Sequence, residues 1–197
     1  MVLVPGLWMP AAEMALIAAR LARAGYETHC FGYRGREPLE GNIERLARYL
    51  DGRKVHFVGH STGGVLIYDF LQQHASLACG RVVLLGAPVR GCFAGRRLGA
   101  AAIGRWMLGA SDRRWSEREA AWRRTEPLGV IAGTLPLGLG RVLGALPGDN
   151  DGVVRVEETT VQGMSERVLV RAAHSWLPVS RRVSGLIGRF LDSGRFA

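Results

Sequence analysis

Residues 54 to 66 read Lys-Val-His-Phe-Val-Gly-His-Ser-Thr-Gly-Gly-Val-Leu, one serine set among glycines between two apolar stretches. Val55, Phe57 and Val58 form a β-prone run, and Val65 to Leu71 resumes with helical spacing, so the segment reads as strand, sharp turn, helix. Gly59-His60-Ser61-Thr62-Gly63 fits G-x-S-x-G, the nucleophile elbow, whose glycines let strand and helix approach closely while the serine is lifted above the sheet edge. The helix opening near Thr62 directs its N-terminal N–H groups at negative charge developing beside Ser61. No Gly-Lys-Ser/Thr closes the turn, which excludes a P-loop, and Gly59-x-Ser61 replaces the Gly-x-Gly of a dinucleotide site. A serine alcohol is a weak nucleophile near neutral pH; it needs a general base, and the base needs a partner that fixes its tautomer. Of five histidines, His29 and His56 fall in strands, His60 lies inside the elbow, and His74 ends the elbow helix. His174 alone follows the last predicted strand, at the sheet edge where Ser61 would sit. An acid belongs after the preceding strand, where Asp149, Asn150 and Asp151 stand.

The positioning elements follow from periodicity. Val2 to Val4 is a short strand ended by Pro5-Gly6, and Leu7, Trp8 and Met9 form an apolar loop before a helix from about Pro10 to Ala24, stopped by Gly25. Tyr26 to Tyr33 is a second strand, residues 42–50 a helix, and Arg81 to Leu85 a continuous apolar strand closed by Gly86-Ala87-Pro88. Gly129 to Thr134 and Arg167 to Arg171 give the fifth and sixth strands, and Pro136 to Pro147 is a connection rich in glycine and leucine. Val179, Val183, Leu186, Ile187, Phe190 and Leu191 make one face of a closing helix whose start Pro178 marks. Strands alternating with helices argue for right-handed βαβ units. The expected fold is α/β, a mostly parallel sheet of about six strands with helices on both faces.

The chain has 197 residues, 48% hydrophobic and 22% charged, enough for one domain with a proper core. A net charge of +9 raises nucleic-acid binding as a possibility. Lys54 is the single lysine, however, and the arginines are scattered without interleaved aromatics, so no nucleic-acid partner is expected. Cys30, Cys79 and Cys92 are an odd set in no metal-like spacing and read as small buried hydrophobes. No basic leader precedes Val2 and no run approaches membrane-spanning length, which gives a cytoplasmic expectation. Neither a metal nor another cofactor is expected.

The elbow, the Pro5-Gly6-Leu7-Trp8 loop, Asn150-Asp151-Gly152-Val153-Val154 and the late His174 together resemble bacterial α/β-hydrolases of the small lipase and esterase type, from Val2 to about Leu191. The resemblance implies a serine hydrolase cleaving carboxylic esters through an acyl-enzyme, with Ser61, Asp151 and His174 as the triad. Asp151 is preferred over Asp149 because Asp-Gly-hydrophobic-Val carries the acid in similar lipases. The resemblance also assigns the oxyanion donors to the N–H groups of Leu7 and Thr62. Related enzymes have His-Gly where this chain has Pro5-Gly6, so a side chain that orders the loop is missing. Trp8, Met9 and Trp106 are candidate substrate contacts, and the partner expected is a small ester with an apolar acyl chain. An acyltransferase or thioesterase would use the same triad, while a binding or membrane-docking module would predict a missing triad member.

Residues 91 to 124 exceed what a strand crossover needs. Ile103, Trp106 and Met107 share one helical face with Arg105 opposite, Gly109 to Asp112 breaks the pattern, and a charged helix is expected from about Trp115 to Arg124. The segment is either a lid or acyl-binding cap over Ser61, resting on a lipid surface, or a helix covering the sheet beside a solvated one. Glu157 and Glu158 are expected to be exposed.

Overall fold

Every strand in the sheet is parallel to its neighbours, so each crossover must carry the chain back over one face, and the helices lie where those crossovers run. A computed structural model describes residues 1–108, 116–138 and 146–197. Strands β1 (Val2–Val4), β2 (His29–Cys30), β3 (Phe57–His60), β4 (Val82–Leu85), β5 (Leu128–Gly133) and β6 (Glu166–Val170) pair in the order β2-β1-β3-β4-β5-β6. The helices are α1 (Ala15–Arg23), α2 (Leu39–Leu50), α3 (Thr62–Gln73), α4 (Phe93–Ala100), α5 (Ala102–Leu108) and α6 (Arg181–Ser193).

Alternation along the strands divides two apolar layers. Val2, Val4, Phe57, Val82, Leu84, Leu128 and Val130 face one side, packing with Leu46 of α2 and Leu66 and Phe70 of α3. Leu3, Val58, Val83, Leu85 and Ile131 face the other, against Ile17 of α1 and Ile187 and Phe190 of α6. Both faces are covered, which is why the central strands read as unbroken apolar runs. Among the described residues no helix is long and apolar enough to cross a membrane.

Several boundaries differ from the sequence reading. The stretch from Tyr26 to Tyr33 contributes only a two-residue ladder, because β2 is an edge strand and the chain turns away at once, held by Asn42, whose side chain bonds both the N–H and the C=O of Arg34. The first helix opens with a 3-10 turn, Ala11–Met14, before α1. Pro178 lies inside a 3-10 segment, His174–Val179, and α6 starts after Ser180, whose hydroxyl accepts the Val183 N–H.

The charged helix expected over Trp115 to Arg124 does not form in its described part. Residues 116 to 124 run without helix and touch Gln162 in a single bridge at Ala121. The arginines explain this, since their partners lie across the chain instead of one turn away. Arg118 pairs with Asp69 at 2.8 Å, and the Arg124 guanidinium reaches the carbonyls of Leu71 in the last turn of α3 and of His74, Ala75 and Leu77 just beyond it. Trp115, Gly109 to Asp112 and most of the glycine-leucine connection lie outside the described residues, as do the Ile103 and Met107 side chains.

Candidate active site

Ser61 sits at φ 52°, ψ −126°, between the end of β3 and the first residue of α3. A side chain at positive φ is strained, and the glycines around it show what enforces the turn. A Cβ on Gly59 would lie 2.5 Å from Gly64 Cα, and one on Gly63 would lie 2.2 Å from the Pro5 carbonyl oxygen. Strand, helix and the loop after β1 are thus in backbone contact, and only glycine fits between them. The Ser61 N–H donates to Leu85 O at 2.8 Å, fixing the elbow to β4.

Asp151, in the connection after β5, and His174, just after β6, meet at the end of the sheet where Gly86 follows β4. The His174 Nδ1 lies 2.7 Å from Asp151 Oδ2, and the His174 N–H donates to the Asp151 carbonyl at 2.9 Å, so ring and backbone are both held. Asp151 Oδ1 accepts the N–H groups of Val153 at 3.0 Å and Val154 at 2.8 Å. Gly152 permits that tight turn: its φ is +91°, and a Cβ there would lie 2.4 Å from Leu137 O. Gly86, at the end of β4, lies against the pair, its ideal Cβ 3.1 Å from Asp151 Oδ2 and 3.2 Å from His174 Nδ1. Asp151 is 1% exposed, whereas Asp149 is exposed and offers its backbone carbonyl to Val156.

A second polar pair lies beside the first. His60, 3% exposed, places Nδ1 3.1 Å from Glu13 Oε1, and its ring centroid is 4.7 Å from that of His174. Glu13 Oε2 accepts the Gly6 N–H at 2.7 Å. Burial pushes the His60 imidazole below its usual value. Burial also works to raise the Glu13 carboxyl, but the hydrogen bonds it accepts from His60 and the Gly6 N–H outweigh it and leave that pKa lowered. The pair is therefore a carboxylate and a neutral imidazole near neutral pH. The N–H groups of Leu7 and Thr62 have no partner among the described residues.

Ser61 and His174 open into one cavity of about 880 Å³. One part of its wall comes from the loop after β1 and from α1, including Leu7, Trp8, Met9 and Leu16; another comes from Leu98 of α4, Leu108 of α5 and Val154. Cys92, Ala94, Leu108 and Val154 form a third apolar cluster, apart from the two sheet cores, with Leu7 and Leu98 packed on it. Leu98 of α4 and Leu108 of α5 therefore line the cavity, and the cluster they belong to is distinct from the two sheet cores.

The sequence pattern of the alpha/beta hydrolase family matches residues 1–189. The chain belongs to the alpha/beta hydrolase family. Its fold is similar to that of a Bacillus licheniformis lipase in mature form, with 18% identity over 97% of this chain and 89% of that one and a TM-score of 0.71. A Paleococcus ferrophilus monoacylglycerol lipase aligns at 18% identity over 98% and 93% of the two chains, TM-score 0.63. A pyrethroid hydrolase from Sphingobium faniae aligns at 15% identity over 98% and 96%, TM-score 0.63. Comparison with curated protein sequences gives no match.

In this alpha/beta hydrolase the predicted Ser61, Leu7, Thr62, Trp8, Met9 and His174 all border the cavity, and Asp151 stands behind His174. Trp106 does not. It is 64% exposed, with the Arg36 guanidinium 4.8 Å over its ring, and among the described side chains of α5 it is Leu108, two residues further round, that borders the cavity. Glu158 is a second correction: it is 3% exposed, accepts the Phe93 N–H at the start of α4 at 2.6 Å, and pairs with Arg155, while Glu157 is exposed as expected. The Glu13–His60 pair was not foreseen. The available signal was slight, a lone acid inside the otherwise apolar run from Leu7 to Ala19.

Proposed function

We propose that the protein is a serine hydrolase of carboxylic esters, acting through an acyl-enzyme. The observation that carries the reading is the convergence of Ser61, on its strained elbow, and the His174–Asp151 pair, bonded at 2.7 Å, on one mainly apolar cavity. Ser61 attacks the ester carbonyl, and His174 takes its proton at Nε2 and returns it to the leaving alkoxide. Asp151 holds the Nδ1–H tautomer and stabilises the imidazolium that forms. The N–H groups of Leu7 and Thr62 receive the oxyanion as charge develops on the substrate oxygen. Water then repeats the sequence on the acyl-enzyme.

Leu7, Met9, Leu16, Leu98, Leu108 and Val154 favour an apolar acyl or alcohol group, since burying each methylene contributes about 0.8 kcal/mol. The similar lipases act on esters by their names, which agrees with this reading at the level of substrate class. Helices α4 and α5 serve in it as a cap that completes the apolar wall. The test is hydrolysis of p-nitrophenyl esters of graded chain length by the unaltered protein and Ser61→Ala. Turnover that is lost in the variant supports the reading, and turnover that survives the loss of Ser61 rejects it. Product formation only with an alcohol or thiol acceptor would assign acyl transfer to the same groups.

A further inference from the structure

The loop that carries Leu7 has little of its own to hold it. Proline at position 5 has no N–H, and Gly6 has no side chain. Yet the loop lies directly on the nucleophile: an ideal Cβ at Gly6 would be 3.4 Å from Ser61 Cβ and 3.3 Å from His60 Nδ1. The carboxylate of Glu13, delivered by the 3-10 turn Ala11–Met14, fills the gap behind that loop, with 9% of its side chain exposed. One oxygen takes the Gly6 N–H and the other takes the ring of His60, the residue before Ser61.

We propose that Glu13 is a positioning residue for oxyanion stabilisation, tying the Pro5–Leu7 loop to the end of β3 so that the Leu7 N–H stays aimed beside Ser61. The inference rests on the serine-hydrolase reading of the site. Its reasoning is geometric. The Gly6 and Leu7 N–H groups belong to adjacent peptide units, so a bond that fixes the first fixes the orientation of the second to within the freedom of one residue. A carboxylate acceptor is stronger than a carbonyl, and two fixed attachments, at 2.7 Å and 3.1 Å, leave it no rotation. The His60 ring completes the clamp by lying between Glu13 and His174. Since oxyanion donors act when charge develops on the substrate, loosening this loop lowers kcat, and with a short ester that draws little on the apolar wall formed partly by Leu7 and Met9 it moves ground-state binding little.

Three substitutions test it on a short soluble ester. Glu13→Gln keeps the reach and an acceptor oxygen for Gly6, and its kcat stays within about threefold of the unaltered protein. Glu13→Asp keeps the charge but is one methylene too short for both attachments, and Glu13→Met keeps the length but loses both acceptors. In each of those two kcat falls on the order of 10²-fold while KM moves by less than about threefold. Unchanged kcat in both Asp and Met variants, a loss in Gln equal to theirs, or a loss confined to KM overturns the proposal. Hydrogen exchange of the Gly6 amide provides a readout independent of turnover. It accelerates at least about tenfold in Glu13→Met if the carboxylate holds the loop, and an unchanged rate overturns the role of Glu13 even if the enzyme acts on no ester tested. Failure of the unaltered protein to turn over esters would instead count against the hydrolase reading.

Discussion

Replacing Asp151 by asparagine should abolish turnover while leaving the fold nearly intact, and the hydrogen bonds at the site dictate why. Asp151 Oδ1 accepts two backbone N–H groups, from Val153 and Val154, and Oδ2 faces His174 Nδ1. An asparagine amide has one acceptor end, and only its oxygen can meet the two N–H donors. Its NH₂ is then forced toward His174 Nδ1, which must present a lone pair. The proton moves to Nε2, the nitrogen that receives the Ser61 hydrogen in the proposed mechanism, and the base would be lost. The expected fall in kcat is about 10⁴-fold, or roughly 5.5 kcal/mol of transition-state stabilisation. Because the two backbone donors and the His174 N–H bond to the Asp151 carbonyl are retained, stability should change by no more than about 1 kcal/mol. Asp151→Ala differs: it orphans the buried Val154 N–H and should cost about 1–3 kcal/mol as well as activity. Initial rates on a p-nitrophenyl ester with thermal denaturation of the three proteins measure both effects. A folded Asp151→Asn protein with kcat within tenfold of the unaltered enzyme would refute the tautomer argument.

Other outcomes follow from particular residues. Ser61 carries positive-φ strain, so Ser61→Gly should be more stable than Ser61→Ala by about 1 kcal/mol in urea denaturation, although both are inactive. Equal midpoints would mean that no strain is stored at the elbow. Burial pushes the Cys92 thiol up from 9.0 to about 12, so the stability it contributes is present below pH 9 and is lost progressively toward pH 12 as the unfolded thiol ionises. Calorimetry across that range should give Cys92→Ser a shallower alkaline decline; a coincident decline would place the cause elsewhere. His60 faces Glu13, His174 and Asp151, and its lowered pKa means that below about 6.5 the unfolded chain binds a proton that the folded one resists. Stability should therefore fall as pH drops through 6.5, and further as Glu13 protonates below its ordinary value of 4.5, with His60→Asn flattening the first limb. An unchanged limb in that variant would remove His60 from the account. Leu108→Trp should shift the preferred ester to shorter chains by filling the cavity wall, and an unmoved optimum would place the acyl group elsewhere.

What the sequence could disclose is what backbone chemistry enforces locally. Gly59, Gly63 and Gly64 are demanded by contacts at the elbow itself, and Gly152 by the turn that presents Asp151, so both motifs are visible in short windows. The central strands were equally plain because both faces of the sheet are covered. Where partners come from distant segments, the reading fails. Glu13 and His60 are 47 positions apart, and nothing in either window names the other. Arg118 and Arg124 look like the solvated face of a helix until Asp69 and the end of α3 are brought beside them. Glu158 is an ordinary exposed acid by its neighbours in sequence and a buried helix cap by its neighbours in space. Trp106 is a candidate substrate contact by its apolar surroundings in sequence, yet it stands exposed beside Arg36, while Leu108 borders the cavity.

The central claim is that Ser61 is an activated nucleophile served by His174 and Asp151. Incubation with a fluorophosphonate ester followed by peptide mass spectrometry tests it without knowledge of the natural substrate. The account predicts a single adduct on Ser61, absent in Ser61→Ala and formed far more slowly in His174→Ala and Asp151→Asn. No adduct on the folded protein, or one that forms at the same rate without His174, would contradict it.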